Sequence, residues 1–340
     1  GYMARVVFLL DKIMRKVGLN GKSVVPLISG VACAIPAIMA TRTIELWKER
    51  LITIFVTPLM SCSARLPVYT ILIALVIPDQ YVWGVLNIQG LVLLGLYLLG
   101  FVAAMLSALL MQKLIKSNER SFLIMEMPTY KMPRWKNIGL TIVEKVRTFT
   151  FEAGKVIVAI SIVLWVLASY GPGDDIENAD QIVAQEMAGQ DYTPEEFDNQ
   201  VASFKLEHSY AADLGRLIEP AIRPLGFDWK IGIALVTSFA AREVFVGTMA
   251  TLYSIQSAGD DEASIKSRMQ QEINPLTGLP LFSLATGLSL MVFYAFAMQC
   301  MSTLAVVYRE TKSWKWPVLQ TIYMSALAYV SSLIIYNLFS

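Results

Sequence analysis

Several apolar runs in this 340-residue chain are long enough to cross a bilayer, and their length is the strongest constraint on the fold. A transmembrane helix needs about 20 predominantly apolar residues. The clearest runs are Val85 to Met111, Phe151 to Tyr170, Leu281 to Val307 and Val318 to Leu338. Only 16% of the residues are charged, whereas a soluble domain carries about 25%. The sequence therefore predicts an all-α polytopic transmembrane domain.

Two further apolar runs are interrupted by prolines. These runs are Val24 to Thr41, with Pro26 and Pro36, and Leu51 to Ile77, with Pro58 and Pro67. Proline removes a backbone donor, and hydrocarbon tolerates the break only where protein or water satisfies the freed groups. Discontinuous helices of this kind often form the binding sites of transporters. We therefore expect discontinuous helices here.

A charged pair lies at the middle of another apolar run. Arg242 and Glu243 stand near the centre of Ile231 to Tyr253, where an ionised side chain costs about 2.5 to 3.5 kcal/mol on insertion scales. Glu243 is a candidate metal ligand, proton acceptor or counter-ion. Adjacent helical residues point about 100° apart, so Arg65 is a better candidate charge partner for Glu243 than Arg242 is.

The charge distribution predicts the sidedness of the segments. Basic residues dominate 113–150, which is typical of a cytoplasmic connector. Acidic residues dominate 171–229, which should be extracytoplasmic. The connector from Arg42 to Arg50 should be cytoplasmic as well. The topology of 230–280 stays open: a full crossing puts the basic stretch Arg309 to Lys315 outside, and a re-entrant hairpin returns it to the cytoplasm.

These features divide the chain into six regions. They are an N-terminal helix with a partial first repeat (1–49), central membrane segments with the SCSARLP motif (50–112), the basic connector (113–150), a transmembrane helix (151–170), the acidic segment (171–229), and a second repeat with C-terminal transmembrane helices (230–340). A weak internal repeat aligns Ala32 to Thr41 with Arg242 to Thr251. The two stretches share Met-Ala-Thr, and the alignment puts Cys33 opposite Glu243.

Enzyme and nucleic-acid functions find little support in the sequence. A single histidine excludes an HExxH metalloprotease motif, and the net charge of +1 gives no case for nucleic acid. Gly21-Lys22-Ser23 imitates the end of a phosphate-binding loop, but the required earlier glycine is Lys16. We therefore expect no catalytic site and no nucleotide-binding site in this chain.

Several separated motifs resemble the ferrous iron transport protein B family. They are Gly21 to Cys33, Pro36 to Arg42, Pro58 to Tyr69, Phe227 to Gly232, Ala241 to Glu243, Phe293 to Thr303 and Arg309 to Trp316. The resemblance implies two gate repeats and GTP-linked import of Fe²⁺ across the bacterial cytoplasmic (inner) membrane. The family's N-terminal G domain, with its GTP and Mg²⁺, lies outside this sequence. We expect the chain to begin inside a longer protein.

The resemblance also implies partners. They are the lipid bilayer, Fe²⁺ as transported substrate, the protein's own G domain, small cytoplasmic Feo proteins and a possible homo-oligomer, with no nucleic acid and no permanently bound cofactor.

With iron as the substrate, the cysteines become candidate ligands. Fe²⁺ is low in the Irving–Williams order, so thiolate, thioether and carboxylate groups can hold it and release it. The predicted transport path consists of Cys33, Cys62, Glu243, Cys300, Met301 and Met60, with Arg65 and Arg242 as charge partners. The alternative is that the cysteines pack as small hydrophobic residues and the methionines fill gaps.

Two other functions stay open from the sequence. One is a gate-fold permease for an organic solute such as a nucleoside, and the other is a non-transporting membrane scaffold. The coupling to GTP hydrolysis, the metal selectivity, the oligomeric state and the truncation point cannot be inferred from the sequence.

Overall fold

The computed structural model is almost entirely helical, which confirms the predicted fold class. It describes residues 2–82, 86–115, 134–172, 176–186, 194–239, 242–252, 282–297 and 300–340. Its first helices are α1 (Tyr2–Lys16), α2 (Val24–Ala32), α3 (Ala34–Ala40), α4 (Trp47–Val56), α5 (Leu66–Val76), α6 (Ile88–Leu114) and α7 (Trp135–Ser169). The later helices are α8 (Ala179–Glu186), α9 (Pro194–Glu207), α10 (Tyr210–Ile222), α11 (Trp229–Thr237), α12 (Val244–Leu252), α13 (Leu284–Phe296), α14 (Met301–Thr311) and α15 (Lys315–Phe339). An antiparallel pair of two-residue strands, β1 (Tyr81–Val82) and β2 (Leu86–Asn87), precedes α6.

Five stretches among the described residues are long and apolar enough to cross a membrane. They are Trp47–Val76, Ile88–Leu114, Trp135–Ser169, Leu284–Thr311 and Lys315–Phe339. Two of them are interrupted, since α4 and α5 are separated by two short 3₁₀ turns, Thr57–Leu59 and Ser63–Arg65, and α13 and α14 by residues 297–300. Pro58 and Pro67 each stand at the start of a new helical segment, where proline is tolerated. The predicted discontinuous helices are therefore present.

The chain forms two compact units. The first unit comprises Gly1–Ala64, Gly95–Ile157 and Met301–Tyr323, and the second unit comprises Arg65–Leu94, Val158–Cys300 and Met324–Ser340.

In the first unit, α2 and α3 form a re-entrant pair, whose two ends lie on the same side of the membrane. The two helices have nine and seven residues, too few to cross about 30 Å of hydrocarbon. Asn20, in the turn before α2, donates to Glu49 at 3.1 Å. Lys22 Nζ lies 2.7 Å from Glu45 Oε1. Because Glu45 and Glu49 follow α3, the chain returns to the side from which it started.

A buried carboxylate brings the end of α14 to the same connector in the first unit. The side chain of Glu310 is 2% exposed, and its oxygens accept from Arg42 Nη2 at 2.5 Å and from Arg50 Nη2 at 2.6 Å. Arg42 Nε donates to both carboxylate oxygens, at 3.1 and 3.0 Å. The basic turn that follows Glu310 therefore lies beside the connector from Arg42 to Arg50.

In the second unit, α11 and α12 also form a pair that returns. Each helix has nine residues and is about 14 Å long. Lys230, near the start of α11, lies 3.9 Å from Glu207, and Ser203 donates to the carbonyl of Leu252 at the end of α12 at 3.2 Å. Since Glu207 and Ser203 both belong to α9, the pair has both ends at α9. Of the two topologies left open by the sequence, the geometry favours the re-entrant one, which agrees with the position of Glu310 beside the connector.

The two halves of the chain repeat one order of elements. An amphipathic helix (α1 or α10) precedes a short returning pair (α2–α3 or α11–α12), an interrupted span (α4–α5 or α13–α14) and a long helix (α6 or α15). The Met-Ala-Thr alignment puts Ala34 opposite Val244, and these residues are the first of α3 and α12.

A second match between the halves lies at the turn before each returning pair. Gly18 and Gly226 have φ of 78° and 84°, a left-handed conformation that favours glycine. Each glycine is followed by a buried apolar residue and then by a helix-capping residue. Asn20 accepts from the backbone of Lys22 at 3.0 Å, and Asp228 accepts from the backbone of Ile231 at 2.8 Å. This match is independent of the Met-Ala-Thr alignment and supports the repeat.

We expect Glu310→Gln to lower the free energy of unfolding by about 2 kcal/mol, because hydrogen bonds to charged groups contribute about 1.5–3 kcal/mol each. The measurement is the thermal unfolding midpoint of the purified protein in detergent. Glu45→Gln is the matched control: its carboxylate is exposed and pairs with Lys22 alone, so no measurable change is expected. Equal midpoints for the two variants would contradict a structural role for Glu310.

Candidate metal pathway at the helix breaks

The predicted path residues all stand at or beside interruptions of helices. Cys33 separates α2 from α3, and Cys62 lies between the two 3₁₀ turns that divide α4 from α5. Glu243 immediately precedes α12, and Cys300 immediately precedes α14. Met60 caps the Thr57–Leu59 turn, and Met301 is the first residue of α14. Each interruption exposes backbone polar groups, so these positions combine candidate ligand side chains with free peptide dipoles.

In the first unit, a hydrogen bond joins the break at Cys33 to the break at Cys62. Ser63 Oγ donates to the carbonyl of Ala32 at 2.9 Å. Ala32 precedes Cys33, and Ser63 follows Cys62, so the two cysteines belong to adjoining segments. Both are half-buried, and neither forms a disulfide. Cys33 also packs against an apolar cluster from α3, α4 and α14, formed by Ile35, Ile38, Ile54, Val306 and Val307.

The residue before Cys62 carries a buried hydroxyl that no described residue hydrogen-bonds. Ser61 is 2% exposed, and its Oγ has no partner among the described residues. Buried polar groups are nearly always hydrogen-bonded, so an exception requires an explanation such as a bound ion or water. Gly100 lets α6 approach this break: a Cβ at Gly100 would lie 3.0 Å from both Ser61 Oγ and the carbonyl of Leu59.

In the second unit, Arg242 joins the break before α12 to the break after α13. Its Nη1 donates to the carbonyl of Tyr294 at 3.3 Å, and its Nη2 donates to the carbonyl of Ala297 at 3.1 Å. The Tyr294 hydroxyl returns a hydrogen bond to the carbonyl of Arg242 at 3.1 Å. Because the last carbonyls of a helix carry partial negative charge, the C-terminal end of α13 supplies a natural partner for this guanidinium.

Glu243 and Arg65 occupy different environments. Arg65 is 1% exposed, whereas the side chain of Glu243 is exposed. The ion pairs between described residues do not include one that joins them. The structure thus gives Arg242 carbonyl partners from α13 and does not supply the contact expected between Arg65 and Glu243.

The break before α14 has the same kind of side chains as the break at Cys62. Cys300 and Met301 are partly exposed. Ser302 is 2% exposed, and within the described part of the chain its Oγ has no hydrogen-bond partner. Met298, the other methionine near Cys300, lies outside the described residues. Within the described part of the chain, no group of three or more His, Cys, Asp or Glu side chains is placed to hold a metal ion.

The sequence predicted the breaks near Cys33 and Cys62, but it did not predict the break before Cys300 or the serines that lie at these positions. Ser61, Ser63 and Ser302 drew no attention because serine is common and carries no spacing signal. Their positions next to Cys62 and Cys300 were the available clue. Gly100 was equally hidden, because its role depends on which helix packs against the break.

Comparisons with known proteins agree with this architecture. A family model described as "Nucleoside recognition" (Gate) matches residues 1–75 and 150–314, and a model described as "Ferrous iron transport protein B C terminus" matches residues 93–145. These matches, with the five candidate spans, define a multi-pass membrane protein of the Gate class.

Curated relatives make the assignment more specific. The Fe(2+) transporter FeoB of Leptospira biflexa is 42% identical over 339 residues, which cover 99% of this chain and 46% of the relative. The Fe(2+) transporter FeoB of Methanocaldococcus jannaschii is 36% identical, with 98% of this chain and 44% of the relative covered. A fusion of Fe(2+) transport protein A with FeoB from Porphyromonas gingivalis is 38% identical, with 99% and 40% covered. No solved structure matches.

The chain belongs to the ferrous iron transport protein B (FeoB) family. It spans about half the length of the curated relatives that it matches.

We expect Gly100→Val to destabilise the protein by about 1–3 kcal/mol, because the added side chain would overpack the contact with Leu59 and Ser61. Gly95→Val is the matched control on the same helix, since a Cβ there meets nothing within 4 Å. Thermal unfolding of both variants measures the effect. If Gly95→Val were as harmful as Gly100→Val, the loss would come from β-branching in α6 and not from the close approach.

We expect Arg242→Gln and Glu243→Gln to separate stability from function. Arg242→Gln should lower the free energy of unfolding by about 2 kcal/mol, since two charge-assisted hydrogen bonds are lost. Glu243→Gln should leave the unfolding midpoint unchanged, because the carboxylate is exposed. A large fall in stability for Glu243→Gln would instead show that this carboxylate has a structural partner.

Proposed function

We propose that this chain is the membrane part of an importer of ferrous iron and that the ion passes the helix breaks. The observation that carries the proposal is the hydrogen bond from Ser63 to Ala32, because it brings together two segments that each hold a cysteine outside any disulfide, Cys33 and Cys62. The names of the curated relatives, which are Fe(2+) transporters, support iron as the substrate.

The side chains at these breaks suit an ion that must be released. Thiolate and thioether ligands bind Fe²⁺, and its low position in the Irving–Williams order keeps the affinity moderate. A thiol ionises more readily when a cation is close, so the arriving Fe²⁺ would itself favour the thiolate of Cys33 or Cys62. The unpartnered hydroxyl of Ser61 supports an oxygen ligand or a bound water beside Cys62.

Glu243 is proposed as a charged group of the transport path in the second unit. Its carboxylate is exposed at the break before α12 and is therefore accessible to a hydrated cation. Cys300 and Met301 are proposed as further path residues, with Met60 beside Cys62. Arg65 and Arg242 are proposed to balance negative charge on the path while no ion is bound.

The wider activity is proposed from the relatives. Since they are about twice as long as this chain, we infer that it works with a G domain, which supplies GTP and Mg²⁺ chemistry that this chain does not perform itself. The fused protein of Porphyromonas gingivalis supports a small Feo protein as a partner. The site of action would be the cytoplasmic membrane of a bacterium. Coupling, metal selectivity and homo-oligomerisation belong to further experiments.

A nucleoside permease is the second candidate, because the Gate model is described as "Nucleoside recognition". A nucleoside site needs aromatic and amide groups that stack on the base and bond to it. The breaks instead present thiols, thioethers and hydroxyls, which favours a metal ion. Excess nucleoside should therefore leave iron uptake unchanged, whereas competition would support the permease.

Cys33→Ser and Cys62→Ser should each lower Fe²⁺ uptake about tenfold or more, because disturbing a metal site typically costs about 10–100-fold. Uptake is measured under reducing conditions in an iron-starved bacterial strain that produces the full-length protein. Ala108→Ser is the control: it adds a serine to α6, outside the four breaks, and should transport normally. Normal uptake by both cysteine variants, at equal membrane abundance, would contradict the proposal and would show that the cysteines only pack as small hydrophobic residues.

A further inference from the structure

One face of α1 packs against the rest of the first unit. Val7 and Met14 are buried, and Asp11 accepts from the backbone of Gly21 at 2.9 Å. Since successive residues are about 100° apart, these three residues share one sector of the helix surface. This sector holds α1 against the turn that leads into α2.

A second sector of α1 is apolar and uncovered in the described structure. Leu9 is 71% exposed and Ile13 is 55% exposed, and the partly exposed Val6 lies about 20° beyond Ile13 on the helical wheel. Leu9 and Ile13 are four residues apart, so they stand one above the other along the helix. Exposed residues of this size on a membrane protein need an apolar environment.

The third sector of α1 is basic. Arg5, Lys12 and Lys16 cluster within about 40° of one another on the helical wheel. Arg15 extends this face and pairs with Asp11 at 2.6 Å. A helix with a packed sector, an apolar sector and a lysine- and arginine-rich sector has the composition of helices that lie in the membrane interface.

The contacts of the turn after α1 indicate which face of the membrane α1 lies on. The turn that joins α1 to α2 contacts the connector after α3 through Asn20 and Lys22. That connector contains Arg42, Lys48 and Arg50, which the positive-inside rule assigns to the cytoplasm. The cytoplasmic leaflet is the one that carries anionic lipids, so the charge of α1 matches the surface that it faces.

The repeat supplies an internal comparison. In α10, Ala211, Ala212 and Gly215 are buried and Leu214, Leu217 and Ile218 are exposed. The three kinds of sector follow one another around α10 in the same rotational sense as around α1. The polar sector differs, because α10 has one acidic and one basic residue there, Asp213 and Arg216, which form an i,i+3 pair at 3.7 Å. Thus the interfacial shape is repeated and the positive charge is confined to α1.

We propose that α1 is an interfacial helix that binds the headgroups of acidic phospholipids in the cytoplasmic leaflet. Leu9 and Ile13 insert among the acyl chains, while Lys12 and Lys16 contact the phosphate groups. The lipid contact is independent of which solute crosses the membrane, so it stands apart from the iron proposal.

The test uses a photoreactive residue at Leu9 in the full-length protein. The protein is reconstituted in bilayers that contain equal amounts of phosphatidylglycerol and phosphatidylcholine, and the lipid adducts at position 9 are counted by headgroup. We expect phosphatidylglycerol adducts to dominate, because each lysine near an anionic surface favours it about fivefold. The same probe at Val7 should react with protein.

Two variants and a salt series complete the test. Lys12→Gln with Lys16→Gln should bring the adduct ratio close to one, whereas Arg216→Gln on α10 should leave it unchanged. A concentration of about 0.5 M salt should act like the lysine replacements, because it screens exposed charges. The proposal is overturned by an equal ratio in the unmodified protein, by a ratio that the lysine replacements do not alter, or by adducts at Leu9 to protein instead of lipid.

Discussion

The need to satisfy backbone carbonyls where helices stop inside a membrane organises the structure. Hydrocarbon offers no hydrogen bonds, so each interrupted helix requires a donor from the protein. Gln320 donates to the carbonyls of Ile54 and Phe55 at the end of α4, at 3.2 and 2.9 Å. Arg242 serves the end of α13, and Ser63 serves the end of α2. The polar residues in these apolar segments are therefore structural requirements of the breaks.

This requirement also explains why a polar residue at a helix break can have either a structural or a functional role. Arg242 was conspicuous in the sequence as a charge in an apolar run, yet its hydrogen bonds go to the carbonyls at the end of α13. Glu243, its neighbour, is exposed and contributes no such bond among the described residues. Arg242 is therefore engaged in structural hydrogen bonds, whereas the carboxylate of Glu243 is accessible to a cation.

The sequence predicted much of the fold because the bilayer imposes simple rules. Run length gave the spans, prolines marked the break between α4 and α5, and Cys33 and Cys62 were recognised in the broken regions. The break beside Cys300 was missed, because Leu281 to Val307 is a long apolar run that contains no proline. Pairing across the structure was harder, as the expected contact between Arg65 and Glu243 illustrates. Such contacts depend on how helices pack in three dimensions, and residue spacing within one segment carries no information about them. The repeat signal at Gly18 and Gly226 was equally hidden, because it lies in backbone conformation.

The ligands proposed at the breaks would suit a carrier. A structural metal site closes around its ion with several ligands, and the resulting affinity resists release. A hydrogen bond joins the segments that hold the thiols of Cys33 and Cys62. Under the proposal, further coordination would come from water, hydroxyls such as that of Ser61, or carbonyls at the breaks. Such ligands exchange readily, so the helix interruptions that complicate folding would also provide the weak binding that a carrier needs.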